Sequence, residues 1–208
     1  MVNGLIHEPF LVSLNMVEPL VECVPNFSEG KDVEIINAIT NAMKEVEGVT
    51  LLDVDMGADF NRTVVTIVGP PSSVLEAAIV GTEVALELID MSTHTGEHAR
   101  MGAVDVVPFI PISDVTMEEC VKLSIQYAEE VSSRFDLPIY LYAKAARKSD
   151  RIRLPDIRRG EYEGFAEKIN DDNWIPDFGP SVFNQKWGVT ATGARNILIA
   201  YNVNLNTD

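Results

Sequence analysis

The stretch that sets the fold lies at residues 49–68 and reads VTLLDVDMGADFNRTVVTIV. Apolar and β-branched residues crowd its two ends, at 49–55 and 63–68, which predicts two strands. Gly57 and Asn61 lie in the loop between them, where both residue types are favoured. Two strands in direct succession interrupt an otherwise alternating order of strands and helices.

The sequence upstream of this pair predicts a strand and a helix. Residues 20–25 read as a strand that ends at Pro25, and residues 26–30 read as a turn. A helix is predicted over residues 32–46, because apolar side chains recur there at helical spacing. These side chains are Ile35, Ile36, Ile39, Met43 and Val46.

The downstream elements alternate, and both helices are predicted to begin with a capping box. They are a helix at 73–90 opened by Ser73 and Glu76, a strand at 104–110, a helix at 116–134 opened by Thr116 and Glu119, and a strand at 138–142. The order β-α-β-β-α-β, followed by α-β, matches the ferredoxin-like split βαβ arrangement. We therefore predict an α+β sandwich with a mostly antiparallel sheet and helices packed on one face.

The two ends of the chain are predicted to lie outside this unit. Residues 1–16 are predicted as an N-terminal extension, with Met16 as a candidate true start, because the first 15 residues lack the Lys or Arg of a signal peptide. Residues 17–194 are predicted as one subdomain. Residues 195–208 carry an apolar run at 196–205, which is predicted as the opening strand of a second, truncated subdomain.

The bulk properties narrow the classes of function. The 208 residues carry a formal net charge of −16, and such an acidic surface repels phosphate backbones, so nucleic-acid binding is not expected. No apolar run reaches the roughly 20 residues needed to span a bilayer, so no membrane contact is expected. Cys23 and Cys120 each lie in an apolar run, which predicts buried free thiols and a reducing cytoplasm.

Two later segments each allow two interpretations. Residues 144–168 hold eight of the sixteen basic side chains, which indicates either a solvated helical face or a binding strip for a polyanionic ligand. Residues 173–188 mix Trp174, Phe183 and Trp187 with Gly and Pro. That composition suits a loop that walls a ring system, and equally a loop pinned to the core.

The segment His94-Thr95-Gly96-Glu97-His98-Ala99-Arg100 joins a predicted helix to a predicted strand, where functional loops usually lie. An imidazole there can exchange protons near neutral pH. Acidic neighbours such as Glu97 would raise its pKa, and Arg100 would lower it. The alternative for each histidine is a hydrogen bond to a nearby backbone group. For His94 the two interpretations weigh equally, whereas His98 is predicted to be functional.

The same segment also fits the H-x-x-E-H pattern of zinc peptidases. That pattern needs a helix, so that both histidines share one face, and Gly96 beside the β-branched Thr95 disfavours a helix. No later histidine exists to complete a zinc site, although a carboxylate could complete it. We therefore predict that the site holds no metal.

Four blocks of sequence run in order from residue 20 towards the end of the chain: 20–30, 51–55 with 61–63, 88–111, and 174–187. Together they resemble the N-terminal subdomain of the glutamate formimidoyltransferase (formiminotransferase) family. One departure is Ala99, where the family usually has proline. The change loosens the loop backbone but removes no chemical group.

The resemblance implies transfer of a formimino group from N-formimidoyl-L-glutamate to tetrahydrofolate, which gives 5-formimidoyltetrahydrofolate and glutamate. The family's catalytic histidine falls on His98, and Asp55 or Glu97 is expected to orient it or to stabilise the adduct. Arg62 and Arg100 are expected to hold the carboxylates of the substrate. Surface ion pairs are the alternative for both arginines.

The resemblance also implies further contacts with the two substrates. Asn26 and His94 are expected in the same substrate site. Tetrahydrofolate is expected as the co-substrate, and the folate-binding stretch of the family falls on Gly179, Pro180, Ser181, Val182, Phe183, Asn184, Gln185, Lys186, Trp187 and Gly188.

The family pairs two similar subdomains, and only the first resembles this sequence. We therefore expect either a homo-oligomer or a partner chain that supplies the missing C-terminal subdomain. Two other activities stay open. One is a cyclo-ligase-like processing of 5-formyltetrahydrofolate, and the other is a non-catalytic folate-binding or assembly module.

Overall fold

Seven strands form one mixed sheet in the computed structural model, which describes residues 18–199. The strands are β1 Leu20–Cys23, β2 Asn26–Phe27, β3 Thr50–Gly57, β4 Arg62–Gly69, β5 Val104–Ser113, β6 Ile139–Ala143 and β7 Thr190–Ala194. The helices are α1 Val33–Lys44, α2 Pro71–Leu88, α3 Met117–Phe135, α4 Leu154–Arg158 and α5 Glu161–Lys168. Short 3₁₀ turns lie at Met91–Thr93, Ser149–Arg151 and Asp172–Trp174.

The first five strands have the ferredoxin-like order. β1 and β2 lie end to end in the centre, antiparallel to β4 on one side and to β5 on the other. β3 pairs antiparallel with the outer edge of β4. The predicted α+β fold with a mostly antiparallel sheet is confirmed. β7 and β6 then extend the sheet beyond β5 through two parallel pairings.

The three long helices bury one face of the sheet. Val65 and Ile67 of β4 pack in the same core as Ile36 of α1, Ala77 of α2 and Tyr127 of α3. The alternate residues of β4 are half-exposed on the opposite face, as the period of two along a strand requires. As far as residues 18–199 show, one face of β4 is therefore sealed by helices and the other is open.

Within the described residues, the opposite face is covered over β5, β6 and β7. There, Ile157 of α4 and Phe165 of α5 pack with Tyr140 and Val106 in a second, smaller core. The prediction placed all helices on one face, and these two short helices lie on the other. They come from the basic segment 144–168, so that segment belongs to the wall around the open face.

The second capping box is confirmed, whereas the first is wrong. Thr116 Oγ1 accepts a hydrogen bond from Glu119 N at 3.2 Å, and the Glu119 carboxylate accepts one from Thr116 N at 2.7 Å. α2 instead begins at Pro71 with no side-chain cap. Because proline lacks an N–H and fixes φ for the first turn, it starts the helix two residues before Ser73.

Three predictions at the margins of the fold have other outcomes. Residues 26–30 were predicted as a turn, but Asn26 and Phe27 pair with β4 and β5 as strand β2. The predicted strand at 196–205 is not formed over residues 196–199, and the rest of it lies outside the described residues. The predicted extension at 1–16 also lies outside them. Among residues 18–199, no helix combines the length and apolar character needed to cross a membrane.

Candidate active site

A loop without helical structure carries the two histidines. The chain leaves the 3₁₀ turn at Met91–Thr93 and stays non-helical up to β5. The prediction that glycine prevents a helix here is confirmed, so His94 and His98 do not share the helical face that the zinc-peptidase pattern requires. A Cβ on Gly96 would come within 2.3 Å of Phe60 O, so only glycine lets the loop lie this close to the β3–β4 turn.

Asn61 ties this loop to the sheet. Its Oδ1 accepts a hydrogen bond from Gly30 N at 3.0 Å, and its Nδ2 donates to Thr95 O at 3.0 Å. The residue adopts a left-handed conformation with φ of 47°, which asparagine tolerates better than most residues. One side chain therefore fixes the spacing between three segments that are distant in sequence.

Both ring nitrogens of His94 are hydrogen-bonded. Nε2 lies 2.9 Å from Asn61 O, and because a carbonyl only accepts, Nε2 carries the proton. Nδ1 then accepts from Arg100 Nε at 3.3 Å. Burial lowers the pKa of His94, the bond to Asn61 opposes this shift, and the Arg100 charge adds to it. His94 is therefore held neutral as part of the scaffold, which matches the backbone-bonded alternative for this residue.

His98 keeps one ring nitrogen unbound. Its Nδ1 lies 2.7 Å from Ala99 O, so Nδ1 is the donor and Nε2 carries the lone pair of the neutral ring. Within residues 18–199, Nε2 has no hydrogen-bond partner. The half-buried ring lies edge-on to Phe60, with ring centres 6.2 Å apart. Burial, followed by the positive charge of Arg62, lowers the pKa of His98. The neutral form that a general base needs therefore dominates at neutral pH.

A bulge in β5 turns a carboxylate inward, close enough to His98 for its charge to act on the pKa of that ring. Asn26 of β2 pairs with Val106, whereas the adjacent Phe27 pairs with Val104. Asp105 is thus the extra residue of the bulge. Because a bulge redirects the side chain of its extra residue, Asp105 leaves the regular alternation of the strand and meets Arg62 on β4.

Asp105 is fully buried and binds two arginines. Its Oδ2 accepts from Arg62 Nη1 at 2.6 Å and from Arg158 Nη2, and its Oδ1 accepts from Met101 N at 3.0 Å. Arg62 Nη2 and Nε also donate to Asn26 Oδ1, at 2.6 and 3.2 Å. Burial alone would raise the pKa of Asp105, but the two arginines outweigh burial and hold the pKa below its ordinary value.

Arg100 is occupied by two glutamates at the start of α5. Nη1 donates to Glu161 and Glu163, both at 2.9 Å, and Nη2 donates to Glu163 at 2.5 Å. The Arg100 side chain is only 8% exposed, whereas the side chains of Glu161 and Glu163 are 46% and 63% exposed, so the arginine is buried and its two partners face solvent. A cavity of about 540 Å³ opens beside the contact, and His98 does not line it. Its lining residues are His94, Thr95, Gly96, Arg100, Gly160, Glu161 and Glu163.

The two carboxylates that were predicted to orient His98 are both exposed. Asp55 lies on β3 in register with Val64, on the open face of the sheet. Glu97 lies in the loop itself. Within residues 18–199, neither carboxylate is hydrogen-bonded to His98, whose ring bonds Ala99 O instead. In this structure the Ala99 carbonyl is the group that bonds the His98 ring.

The second half of the predicted folate loop, residues 184–188, is pinned to the end of α2. Trp187 Nε1 donates to Leu86 O at 2.6 Å, and Lys186 Nζ donates to Glu87 O at 3.0 Å. Since both donors are satisfied by the backbone of α2, they hold the loop in place. Of the two interpretations, a loop pinned to the core is confirmed for this half.

The first half of the same loop, residues 179–183, carries an exposed apolar side chain. Val182 is 68% exposed, although nothing polar in its side chain favours water. Next to it, the ring of Phe183 lies 5.2 Å from that of Tyr162 on α5, and the Tyr162 hydroxyl donates to Gln185 O. Val182 and Phe183 thus place aliphatic and aromatic groups beside α5.

The basic segment 144–168 has several cations bound inward. Arg151 is fully buried and pairs with Asp177 at 2.7 Å. Lys168 Nζ donates to backbone carbonyls and lies 3.7 Å from the centre of the Trp174 ring, and Arg158 pairs with Asp105. The interpretation as a solvated helical face is wrong for these three side chains, because each is turned inward to a partner within the fold.

Sequence reasoning missed several members of the site. Asp105 had a signal, since an acidic residue inside an otherwise β-branched, apolar strand needs a partner in the core. Arg158 had none, because eight basic residues in one segment look alike until the fold shows which of them turns inward. Glu163 and Asn61 act through contacts to residues distant in sequence, which no local pattern reveals.

The protein has an α+β fold, and one loop carries a half-buried histidine whose Nε2 has no partner within residues 18–199. Comparison with known proteins then gives the family. The family model of the formiminotransferase domain, N-terminal subdomain, matches residues 20–195. The chain belongs to this family.

Curated relatives agree with this assignment. The formimidoyltransferase-cyclodeaminase of Dictyostelium discoideum is 54% identical over 186 residues, which cover 89% of this chain and 35% of that protein. The glutamate formimidoyltransferase of Thermoplasma acidophilum is 49% identical, covering 90% of this chain and 62% of the relative. The one from Streptococcus pyogenes serotype M1 is 47% identical, covering 91% and 63%. The chain spans less than two thirds of each of these relatives.

Proposed function

We propose that this chain is the histidine-bearing subdomain of a glutamate formimidoyltransferase. In this reaction the formimino group moves from N-formimidoyl-L-glutamate to N5 of tetrahydrofolate. The observation that carries the proposal is the state of His98, whose Nδ1 is fixed by Ala99 O and whose Nε2 keeps its lone pair. The names and the identity of the relatives support the choice of substrates.

The proposed mechanism uses His98 first as a base and then as an acid. N5 of the folate attacks the formimino carbon, and His98 Nε2 takes the proton that N5 loses. The tetrahedral adduct then breaks its bond to the glutamate nitrogen, and His98 returns the proton to that nitrogen. The lowered pKa of His98 supports the first step, because the ring starts unprotonated.

The exposed carboxylates Asp55 and Glu97 take a different part in this proposal. Because the attack leaves positive charge on N5 until its proton is removed, a carboxylate on the open face stabilises the adduct. We assign the exposed loop half, residues 179–183, to one wall of the pterin site, with Val182 and Phe183 as its apolar contacts. Asn26, His94, Arg62 and Arg100 hold the surrounding framework through their mutual hydrogen bonds.

The proposal includes a second subdomain. The relatives extend well beyond the matched region, and the open face of β4 beside His98 is where a second lobe would enclose the substrates. A partner chain or a second copy of this chain would supply it. A cytoplasmic location goes with the proposal, supported by the buried free thiols of Cys23 and Cys120.

A reconstituted transfer assay tests the proposal. The purified chain is mixed with N-formimidoyl-L-glutamate and tetrahydrofolate, alone and together with the C-terminal part of the Thermoplasma acidophilum relative, and released glutamate is measured. We expect release in the mixture that contains both parts. Absence of release in both mixtures overturns the proposal. In that case, ATP-dependent consumption of 5-formyltetrahydrofolate would indicate the cyclo-ligase-like activity, and pterin binding without turnover would indicate a binding module.

A further inference from the structure

The arginines near His98 differ in how many of their donors are used. Every guanidinium nitrogen of Arg62 donates, to Asn26 or to Asp105. Every one of Arg100 donates as well, to His94 or to the glutamates of α5. Each guanidinium nitrogen of these two arginines therefore already has at least one partner within the fold.

Arg158 is the exception in this group. Its Nη2 donates to Asp105, but its Nε is buried without a hydrogen-bond partner among residues 18–199. No bond within that range involves its Nη1 either. A buried donor without a partner costs about 1–3 kcal/mol, and native sites retain such a donor where a ligand or water satisfies it. The 14% exposure of the side chain leaves a route by which a ligand can reach it.

The charge balance of the cluster points the same way. The single carboxylate of Asp105 lies between the two guanidinium groups of Arg62 and Arg158, which leaves one positive charge without a counterion. The pKa of His98 is lowered by burial most of all, then by Arg62 and by Arg158. The hydrogen bond to Ala99 acts in the opposite direction and raises it. The surplus charge is therefore close enough to the imidazole to act on it.

We propose that Arg158 binds the α-carboxylate of the formimidoyl donor through its unused donors. The inference rests on the proposed function and deepens it. In N-formimidoyl-glutamate the α-carboxylate carbon lies two bonds from the nitrogen that receives the proton of His98. A group that binds this carboxylate must therefore lie beside the catalytic histidine, and a guanidinium is well matched to a carboxylate.

Binding of two donors that differ only in this group tests the inference. Dissociation constants are measured by calorimetry for N-formimidoyl-L-glutamate and for N-formimidoyl-4-aminobutyrate, which lacks the α-carboxylate. The protein is the assembly that supports transfer in the assay above, or the chain alone if no assembly does. We expect wild type to prefer the first ligand about ten- to a hundredfold, as a charge-assisted contact gives. In Arg158→Gln the preference should fall to about one.

The matched control is Arg159→Gln, because Arg159 is 80% exposed and, among residues 18–199, pairs only with Asp156. This variant should keep the wild-type preference. Thermal unfolding checks that Arg158→Gln is folded. If it is not, Arg158→Lys decides, since it keeps the charge beside Asp105 but loses the planar fork. Its preference should fall at least about threefold.

Three outcomes overturn the inference. One is a wild type that binds both ligands equally, and another is an Arg158→Gln variant that keeps the wild-type preference. The third is a variant that loses affinity for tetrahydrofolate but not for tetrahydropteroate, which would place the folate glutamate tail at Arg158. Transfer by wild type together with any of these results leaves the proposed function standing. Lack of transfer together with a lost preference in Arg158→Gln would retain the binding site and reject the reaction.

Discussion

Two groups of residues at the loop 94–100 are in opposite hydrogen-bonding states. In the first, the satisfied cluster of His94, Arg100 and Glu163, both nitrogens of His94 and every nitrogen of Arg100 have partners. In the second, the unsatisfied pair of His98 and Arg158, His98 Nε2 and two nitrogens of Arg158 have no partner within residues 18–199. The difference separates the residues that hold the loop in place from those that we propose meet a ligand. Residue types alone do not reveal this difference, since both groups contain a histidine and an arginine.

Replacing His98 is the strongest test of the difference between the two groups. The His98→Ala variant should lower the rate of formimino transfer by about 10²–10⁴-fold, because the general base is lost, while the thermal midpoint changes little. Turnover and thermal unfolding are measured on the same samples. The matched control is His94→Gln, which should lower stability by about 1–3 kcal/mol through unsatisfied partners but retain more turnover. Near-normal transfer in His98→Ala would reject the catalytic assignment.

Removing the buried carboxylate of Asp105 should have the next largest effect, and this effect is on stability. The Asp105→Asn variant leaves Arg62 and Arg158 without their shared counterion, and breaking a buried pair costs about 3–5 kcal/mol. The free energy of unfolding, measured by urea denaturation, should fall by that amount. The control is Asp136→Asn, since Asp136 lies at the end of α3, outside this cluster. An unchanged urea midpoint for Asp105→Asn would mean that the cluster is not a buried ion pair in solution.

The sequence predicted those parts of the fold that depend on local periodicity. The strands at residues 49–68 and the helix α3 with its capping box follow from patterns a few residues long, and both are present. β7 was not predicted, because its residues, Thr190–Ala194, are small and weakly patterned. The packing explains the small residues, since a Cβ on Gly193 would come within 2.2 Å of Tyr142 O. Only the assembled sheet reveals that constraint.

The candidate site was predictable in part for a similar reason. His98 lies in a motif that a single segment contains, and it was assigned from that segment. The roles of Arg62 and Arg100 were not, because each depends on a partner that is distant in sequence, Asp105 or Glu163. A β-bulge and a short helix bring these partners close, and neither feature has a pattern that can be recognised before the fold is known.

The titration of His98 gives a further test of the unsatisfied pair. Burial and Arg62, with Arg158, lower the pKa of His98, so its titration should lie below the ordinary value of about 6.5. Because the base form is active, kcat/KM should fall only as pH drops through this lowered pKa. Arg158→Gln removes a positive charge and should move the His98 titration to higher pH, as followed by NMR without substrate. Arg159→Gln should leave it in place. A shift to lower pH in Arg158→Gln would contradict the charge assignment.

The same shifts have a consequence for stability. The folded pKa values of both His94 and His98 are lowered, so the unfolded chain binds protons more readily. Unfolding should therefore become easier as pH falls through about 6.5. The contribution of Asp105 also declines on acidification, because its folded pKa is below the ordinary value. A midpoint of urea unfolding that rises between pH 7 and pH 5.5 would contradict this sign.

The smallest effect on stability is expected in the satisfied cluster, where Glu163 pairs with Arg100. The Glu163 side chain is 63% exposed, and exposed ion pairs contribute about 0.2–1 kcal/mol. Glu163→Gln should therefore lower the free energy of unfolding by less than about 1 kcal/mol, and the difference should shrink in high salt. Glu167→Gln on the same helix is the matched control, because Glu167 has no ion pair within residues 18–199. The Arg100 guanidinium keeps Glu161 and His94 as partners, so the cavity beside it should survive the change. A loss of several kcal/mol, or one that salt does not reduce, would mean that this contact stabilises the fold as strongly as the Asp105 ion pairs do. The contrast between the satisfied cluster and the unsatisfied pair would then no longer stand.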